Sequence, residues 1–113
     1  MPGPNTVELT LDTSVPPKFS FNPPGALQVP PGKTTISWVP GKGSAKFSFA
    51  GLTFDHPNPF CNVVVKDTGI TADDDNHHPE VHKYSVLVSV NGRYYNSKDA
   101  PGPLPGGPTI KNN

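Results

Sequence analysis

Residues 84–95 read Tyr-Ser-Val-Leu-Val-Ser-Val-Asn-Gly-Arg-Tyr-Tyr, and this stretch decides the fold class. Tyr84 and three valines alternate with serine and leucine, which is the period of two of a strand with one buried face. Asn91-Gly92 then suits a type I′ turn, because both central residues of that turn need positive φ. The stretch therefore predicts a hairpin of two antiparallel strands.

The remaining chain consists of short apolar runs separated by proline and glycine. With 16 Pro and 11 Gly among 113 residues, a helical domain is excluded. Short extended runs separated by such turns are typical of a β-sandwich. We predict an all-β, immunoglobulin-like or cupredoxin-like antiparallel sandwich of about seven strands, with Trp38 in its core. The predicted strands outside the hairpin are 7–12, 18–21, 26–29, 34–39, 45–54 with a kink at Gly51, 60–67 and a short terminal strand at 109–111.

The length allows one core, so residues 1–99 are predicted to form a single domain. Residues 100–113 form a Pro/Gly-rich tail, linker-like up to residue 108. Three Pro-Pro pairs, at 16–17, 23–24 and 30–31, favour edge strands between them. A polyproline II ligand is the alternative interpretation of these pairs.

Charge, cysteine content and the start of the chain bear on the expected partners and cellular setting. Nine basic and nine acidic side chains give zero formal net charge, so the chain lacks the bulk field that steers a protein onto nucleic acid or anionic lipid, and we expect neither as a partner. The single cysteine, Cys61, excludes an intrachain disulfide, and we expect it to be a small buried group. The start of the chain has neither the basic flank nor the apolar run of a secretory signal, and no membrane span is visible. A cytoplasmic setting is expected.

The tail carries a family resemblance. Gly107-Pro108-Thr109-Ile110-Lys111-Asn112 resembles the Asp-Pro-x-Ile-x-Asn-Glu-Pro ending of the DP-EP family of small bacterial proteins. The segments 29–38 (VPPGKTTISW), 51–54, 59–60 and 84–95 are similar to that family too. The resemblance implies a compact β-sandwich of uncharacterised function. Gly stands where the motif has its first Asp, and Asn-Asn stands where it has Asn-Glu-Pro.

A polar stretch, Asp-Asp-Asp-Asn-His-His-Pro-Glu-Val-His at 73–82, holds three of the four histidines. On an extended chain His78, Glu80 and His82 share one face about 6.5–7 Å apart. Imidazoles and a carboxylate at this spacing suit zinc or a similar divalent cation, with His77 or Asp75 as further ligands. The alternative is a solvated acidic loop without a cofactor.

A simple meander would separate the polar loops. It places loop 55–58, with His56, at the opposite end of the sandwich from loop 68–82. It also places the connection 40–44 and the segment 96–99 beside the acidic loop, where Lys42 and Lys98 would balance Asp73 to Asp75. A blue copper site at Cys61 is disfavoured, because Met1 is the only methionine.

The outward face of the hairpin is the second candidate site. Leu87 and Tyr94 lie on it beside Arg93, and tyrosine and arginine are enriched at binding hot spots. No phosphate loop, nucleophile elbow or paired acid and base is visible, which points away from an enzyme. We expect a non-catalytic binding or self-associating module with a protein partner or a second copy. The alternative is a divalent-metal protein using residues 73–82.

Overall fold

The computed structural model describes residues 5–12, 18–22, 26–54, 60–76, 79–97 and 109–112. They form strands and the turns between them. The strands are β1 Thr6–Leu11, β2 Phe19–Asn22, β3 Ala26–Val29, β4 Thr34–Pro40, β5 Ser48–Phe54, β6 Phe60–Lys66, β7 Gly69–Asp74, β8 Glu80–Val90, β9 Arg93–Asn96 and β10 Thr109–Asn112.

The strands form two sheets that pack as a sandwich, which confirms the predicted fold class. Sheet A has the order β2-β1-β4-β7-β6, and sheet B has the order β3-β10-β8-β5, with β9 also paired to β8. The ladders between β1 and β4 and between β3 and β10 are parallel, and the others are antiparallel. The described chain therefore crosses between sheets rather than following a simple meander.

Alternation along the strands builds the core between the sheets. Strand β1 buries every second residue, and β8 buries Tyr84, Val86 and Val88. Trp38 is fully buried, as predicted, and packs edge-on against Tyr84 with ring centroids 5.4 Å apart. This arrangement stabilises the fold by removing large apolar side chains from water.

The hairpin of β8 and β9 forms as predicted. Asn91 and Gly92 have φ values of 51° and 80°, as a type I′ turn requires. Tyr95 pairs with Val88 and packs on the core, whereas Tyr94 pairs with Ser89 on the outer face. The predicted kink at Gly51 is also present, as a register shift in the β5–β8 ladder.

Two strands change the predicted organisation. Strand β7, within the predicted loop 68–82, lies in sheet A between β4 and β6. Aspartate is depleted in strands, so Asp73 and Asp74 at the end of β7 made the segment read as a loop in the sequence. Strand β10 lies between β3 and β8, so residues 109–112 belong to the same sandwich as the predicted domain. The linker-like segment 100–108 lies outside the described residues.

Candidate functional site

One end of the space between the sheets is polar. Strand β7 points Ile70, Ala72 and then Asp74 inward from sheet A, and Asp74 is fully buried. Sheet B contributes His82 from β8 and Asn112 from β10, both buried, and buried Asn76 follows β7. We call Asp74, Asn76, His82 and Asn112 the inter-sheet polar cluster.

Hydrogen bonds within the inter-sheet polar cluster tie the sheets together. The Oδ1 atom of Asp74 accepts from the Asn76 backbone N–H at 3.0 Å and from Asn112 Nδ2 at 3.1 Å. The Nδ2 group of Asn76 donates to the carbonyl oxygens of Pro30, at 2.6 Å, and Val29, at 3.3 Å. These bonds join the end of β7 to β10 and to the end of β3.

The same cluster leaves five buried polar atoms without a hydrogen-bond partner. They are Asp74 Oδ2, Asn76 Oδ1, Asn112 Oδ1 and both ring nitrogens of His82. The Nε2 atom of His82 is 3.3 Å from Glu80 Oε2, an ion-pair distance without hydrogen-bond geometry. Among the described residues the sixth such atom is the Trp38 indole nitrogen, near the Tyr84 hydroxyl. Buried groups of this kind cost free energy unless something pairs with them.

Two neighbouring aspartates of β7 experience opposite environments. Burial raises the pKa of Asp74, and the hydrogen bonds from Asn76 and Asn112 and the charge of His82 oppose that rise only in part. On the other face, hydrogen bonds from Asn62 and Thr35 lower the pKa of Asp73, with a small contribution from Lys33. The strand thus carries one carboxyl that resists ionisation and one that favours it.

The predicted metal ligands are brought together in part. Glu80 and His82 lie on one face of β8 and approach within 3.3 Å, whereas His78 and His77 lie outside the described residues. Within the described ranges, no three His, Cys, Asp or Glu side chains are grouped to hold a metal ion. Sequence reasoning missed Asp74 as a core residue, together with Asn76 and Asn112. The alternation of Ile70, Ala72 and Asp74 in the sequence was the pattern from which the inward position of Asp74 could have been predicted.

The predicted layout of the loops is wrong. Phe60 pairs with Asp74, and its ring lies 5.1 Å from that of His82, so the start of β6 is at the same end as the acidic residues. Strand β4 runs away from Asp74 towards Pro40, which puts Lys42 at the opposite end. Among the described residues, Lys33 is the lysine whose charge acts on Asp73. The error follows from β7, because this unpredicted strand adds one more reversal of chain direction than the predicted meander has. His56 and Lys98 lie outside the described residues.

In the structure Leu87 and Tyr94 of the predicted binding face share the outer side of the hairpin, whereas Arg93 pairs with Val90 and has the opposite parity. Arg93 is exposed, and Tyr94 is 67% exposed, on the strand that pairs with β8. Leu87 is half-buried on the same face, opposite Gly51, where a Cβ atom would meet it at 3.5 Å. The leucine therefore packs along the sheet, and the tyrosine is the projecting group.

Among the described residues, three consecutive exposed valines lie elsewhere, on β6. Val63, Val64 and Val65 are 42%, 46% and 39% exposed. A register shift between Cys61 and Val64 sets two residues of β6 opposite one of β7, and Asn62 has a φ of 53°. Cys61 is exposed rather than buried as expected, because Phe60 takes the inward position.

Comparison with known proteins adds no family. No protein-family model matches the chain, and no curated protein matches it. In the part of the chain that the structure describes, no helix has the length and apolarity to cross a membrane. The DP-EP resemblance and the cytoplasmic setting stay predictions.

Proposed function

We propose that this protein is a non-catalytic, self-associating β-sandwich module that pairs with a second copy through β6. The observation that carries the proposal is a seven-residue edge strand with three consecutive exposed valines. In the described part of the chain, β6 pairs on one side only, with β7. An apolar edge strand with a free side is a template for pairing with another strand.

Other edges of the sandwich are less suited to pairing. Strands β2 and β3 have four residues each. Short length is one of the usual protections of an edge. At the end of sheet B, the Phe49 N–H of β5 donates to Asp67 O in the β6–β7 turn. Strand β6 has seven residues, and only Lys66 at its end carries a charge.

A second copy fits this edge because antiparallel pairing of one strand with itself is compatible with two-fold symmetry. With the axis at Val64, Val63 of one copy faces Val65 of the other, so all three valines find apolar partners. Lys66 then faces Asn62, and the two lysines stay apart. The zero formal net charge of the chain removes long-range repulsion between copies.

The bulge at Asn62 and Val63 shortens the regular part of the edge. Bulges weaken edge pairing. We therefore expect a reversible dimer with a dissociation constant in the micromolar range or weaker.

Sedimentation equilibrium of the full chain tests the proposal. Wild-type protein should show a monomer–dimer equilibrium, and Val64→Lys should weaken dimerisation at least about tenfold by placing two ammonium groups at the axis, equal to about 1.4 kcal/mol. Tyr94→Lys is the matched control, since it puts the same charge on the other exposed face. A wild type that is monomeric up to millimolar concentration overturns the proposal. Loss of dimer in Tyr94→Lys alone would assign association to the face that carries Leu87 and Tyr94.

The single exposed cysteine offers a direct check of the register. Cys61 lies three residues from Val64, so spin labels on two paired copies should be separated by roughly 20 Å along the strand. Pulsed electron resonance measures that distance. A separation far above this value contradicts pairing about Val64.

A further inference from the structure

The inter-sheet polar cluster contains an excess of hydrogen-bond acceptors. The side chains of Asp74, Asn76 and Asn112 each leave one buried oxygen without a partner. The nitrogens of both amides are already used, one on the backbone carbonyls of Val29 and Pro30 and one on Asp74 Oδ1. Those partners only accept, so neither amide can rotate to offer a donor without losing its bond.

Geometry gathers these residues around one carboxyl group. Asn76 and Asn112 both donate to Asp74 Oδ1, which leaves Oδ2 as the free atom of the same carboxylate. His82, the other buried titratable side chain here, contributes a favourable charge interaction with Asp74 and lies against Glu80. A buried carboxylate with unpaired amide oxygens beside it requires a positive partner or a proton.

We propose that the inter-sheet polar cluster binds a hard divalent cation of the calcium class. Its ligands are Asp74 Oδ2, Asn76 Oδ1 and Asn112 Oδ1, and Glu80, 57% exposed at the rim, is the outer carboxylate. Carboxylate and amide oxygens are the donors that calcium prefers, whereas zinc prefers imidazole and thiolate. The cation would join β7 of sheet A to β10 of sheet B and so lock the sandwich.

The site differs from the histidine site predicted at His78, Glu80 and His82. That prediction places nitrogen ligands at the centre, whereas three oxygens form the centre here. The purely structural alternative is an Asp74 that keeps its proton and donates it to one amide oxygen. It needs no cation, and the experiment separates it from the proposal.

Thermal unfolding of the chelator-treated full chain, with and without calcium, tests the site. Calcium binding to the folded state should raise Tm by several degrees in a saturable way. Asp74→Asn should abolish the shift, because it removes the charged ligand while keeping the shape and the Oδ1 acceptor. Asp73→Asn should keep the shift, since it changes the adjacent carboxyl on the opposite face of the same strand.

Isothermal titration calorimetry with calcium, magnesium and zinc supplies the independent readout. One calcium bound per chain in wild type and Asp73→Asn, and none in Asp74→Asn, supports the site. No calcium heat and no Tm shift in wild type overturns it in favour of a protonated Asp74. Binding of zinc alone, lost in His82→Ala and retained in Asp74→Asn, also overturns it and returns the metal to the histidines.

Discussion

Strands β6 and β7 form one hairpin, and in it apolar side chains are exposed on β6 while an acidic side chain is buried on β7. Strand β6 exposes three valines, whereas β7 buries Asp74 completely. Their register partners show the same contrast, since Val65 is 39% exposed and Ile70, opposite it, is 1% exposed. Position in the sheet explains the contrast: β7 lies between β4 and β6 under the facing sheet, and β6 lies at the edge. Hydrophobicity alone does not predict burial at an edge.

The largest expected effect comes from shortening one buried side chain on β7 and one exposed side chain on β6. Ile70→Ala should lower the free energy of unfolding by about 2–5 kcal/mol, because it leaves a cavity under a central strand. Val65→Ala should cost less than about 1 kcal/mol, since water already reaches that side chain. Urea denaturation of dilute protein measures both. Equal losses would show that β6 is as well packed as β7.

A second test concerns the buried acid of β7. Because the folded-state pKa of Asp74 is raised, this carboxyl binds more protons in the folded protein than in the unfolded chain between its unfolded and folded pKa values. Wild-type stability should therefore fall as pH rises through the window between the two pKa values and then level off. Asp74→Asn should remove this fall and be more stable at pH 8 by about 1–3 kcal/mol, the cost of an unpaired buried group.

The measurement is urea denaturation in chelator from about pH 2 to about pH 8, which spans the unfolded and folded pKa values of both carboxyls, and Asp73→Asn is its control. Hydrogen bonds lower the pKa of Asp73, so its contribution is present above the unfolded pKa and is lost as pH falls through the folded one. Asp73→Asn should thus be less stable than wild type near neutral pH, with the difference vanishing in acid. If both substitutions changed stability near neutral pH in the same direction, the two carboxyls would not lie in opposite environments.

The smallest expected effect belongs to the edge valines. Val64→Lys should change monomer stability by no more than about 0.5 kcal/mol, because it replaces an exposed side chain on the last strand of sheet A among the described strands. Val86→Lys, in the fully buried centre of β8, provides the contrast and should abolish cooperative unfolding. Calorimetry below the dimer dissociation constant makes the measurement. A large loss in Val64→Lys would mean that the valines serve folding rather than association.

Much of the fold could be predicted from local patterns. The alternation before Asn91-Gly92 predicted the hairpin, and the position of Trp38 among apolar neighbours placed it in the core. The terminal strand was predicted at 109–111 from its own residues, and the structure has it at Thr109–Asn112. These features depend on side-chain period and turn conformation, and both are set by residues that are close together in sequence.

The candidate site could be predicted only in part. Glu80 and His82 were placed on one face because a strand has a period of two, and they lie there. Asp74, Asn76 and Asn112 were missed, because their partnership joins residues up to 38 positions apart across two sheets. The misplacement of Lys42 has the same origin, since one unpredicted strand reverses every later direction in a meander.

By itself the sequence determined the all-β class, the hairpin, the aromatic core and the proline-bounded edge segments, because short-range sterics and apolar alternation act within one strand. Only the tertiary structure decided that β6 lies at an edge, that β7 lies inside sheet A and that β10 lies between β3 and β8. Strand order depends on how two whole sheets bury their faces together, and that free energy is a sum over residues distant in sequence. The exposed valines and the buried aspartate are both consequences of that order.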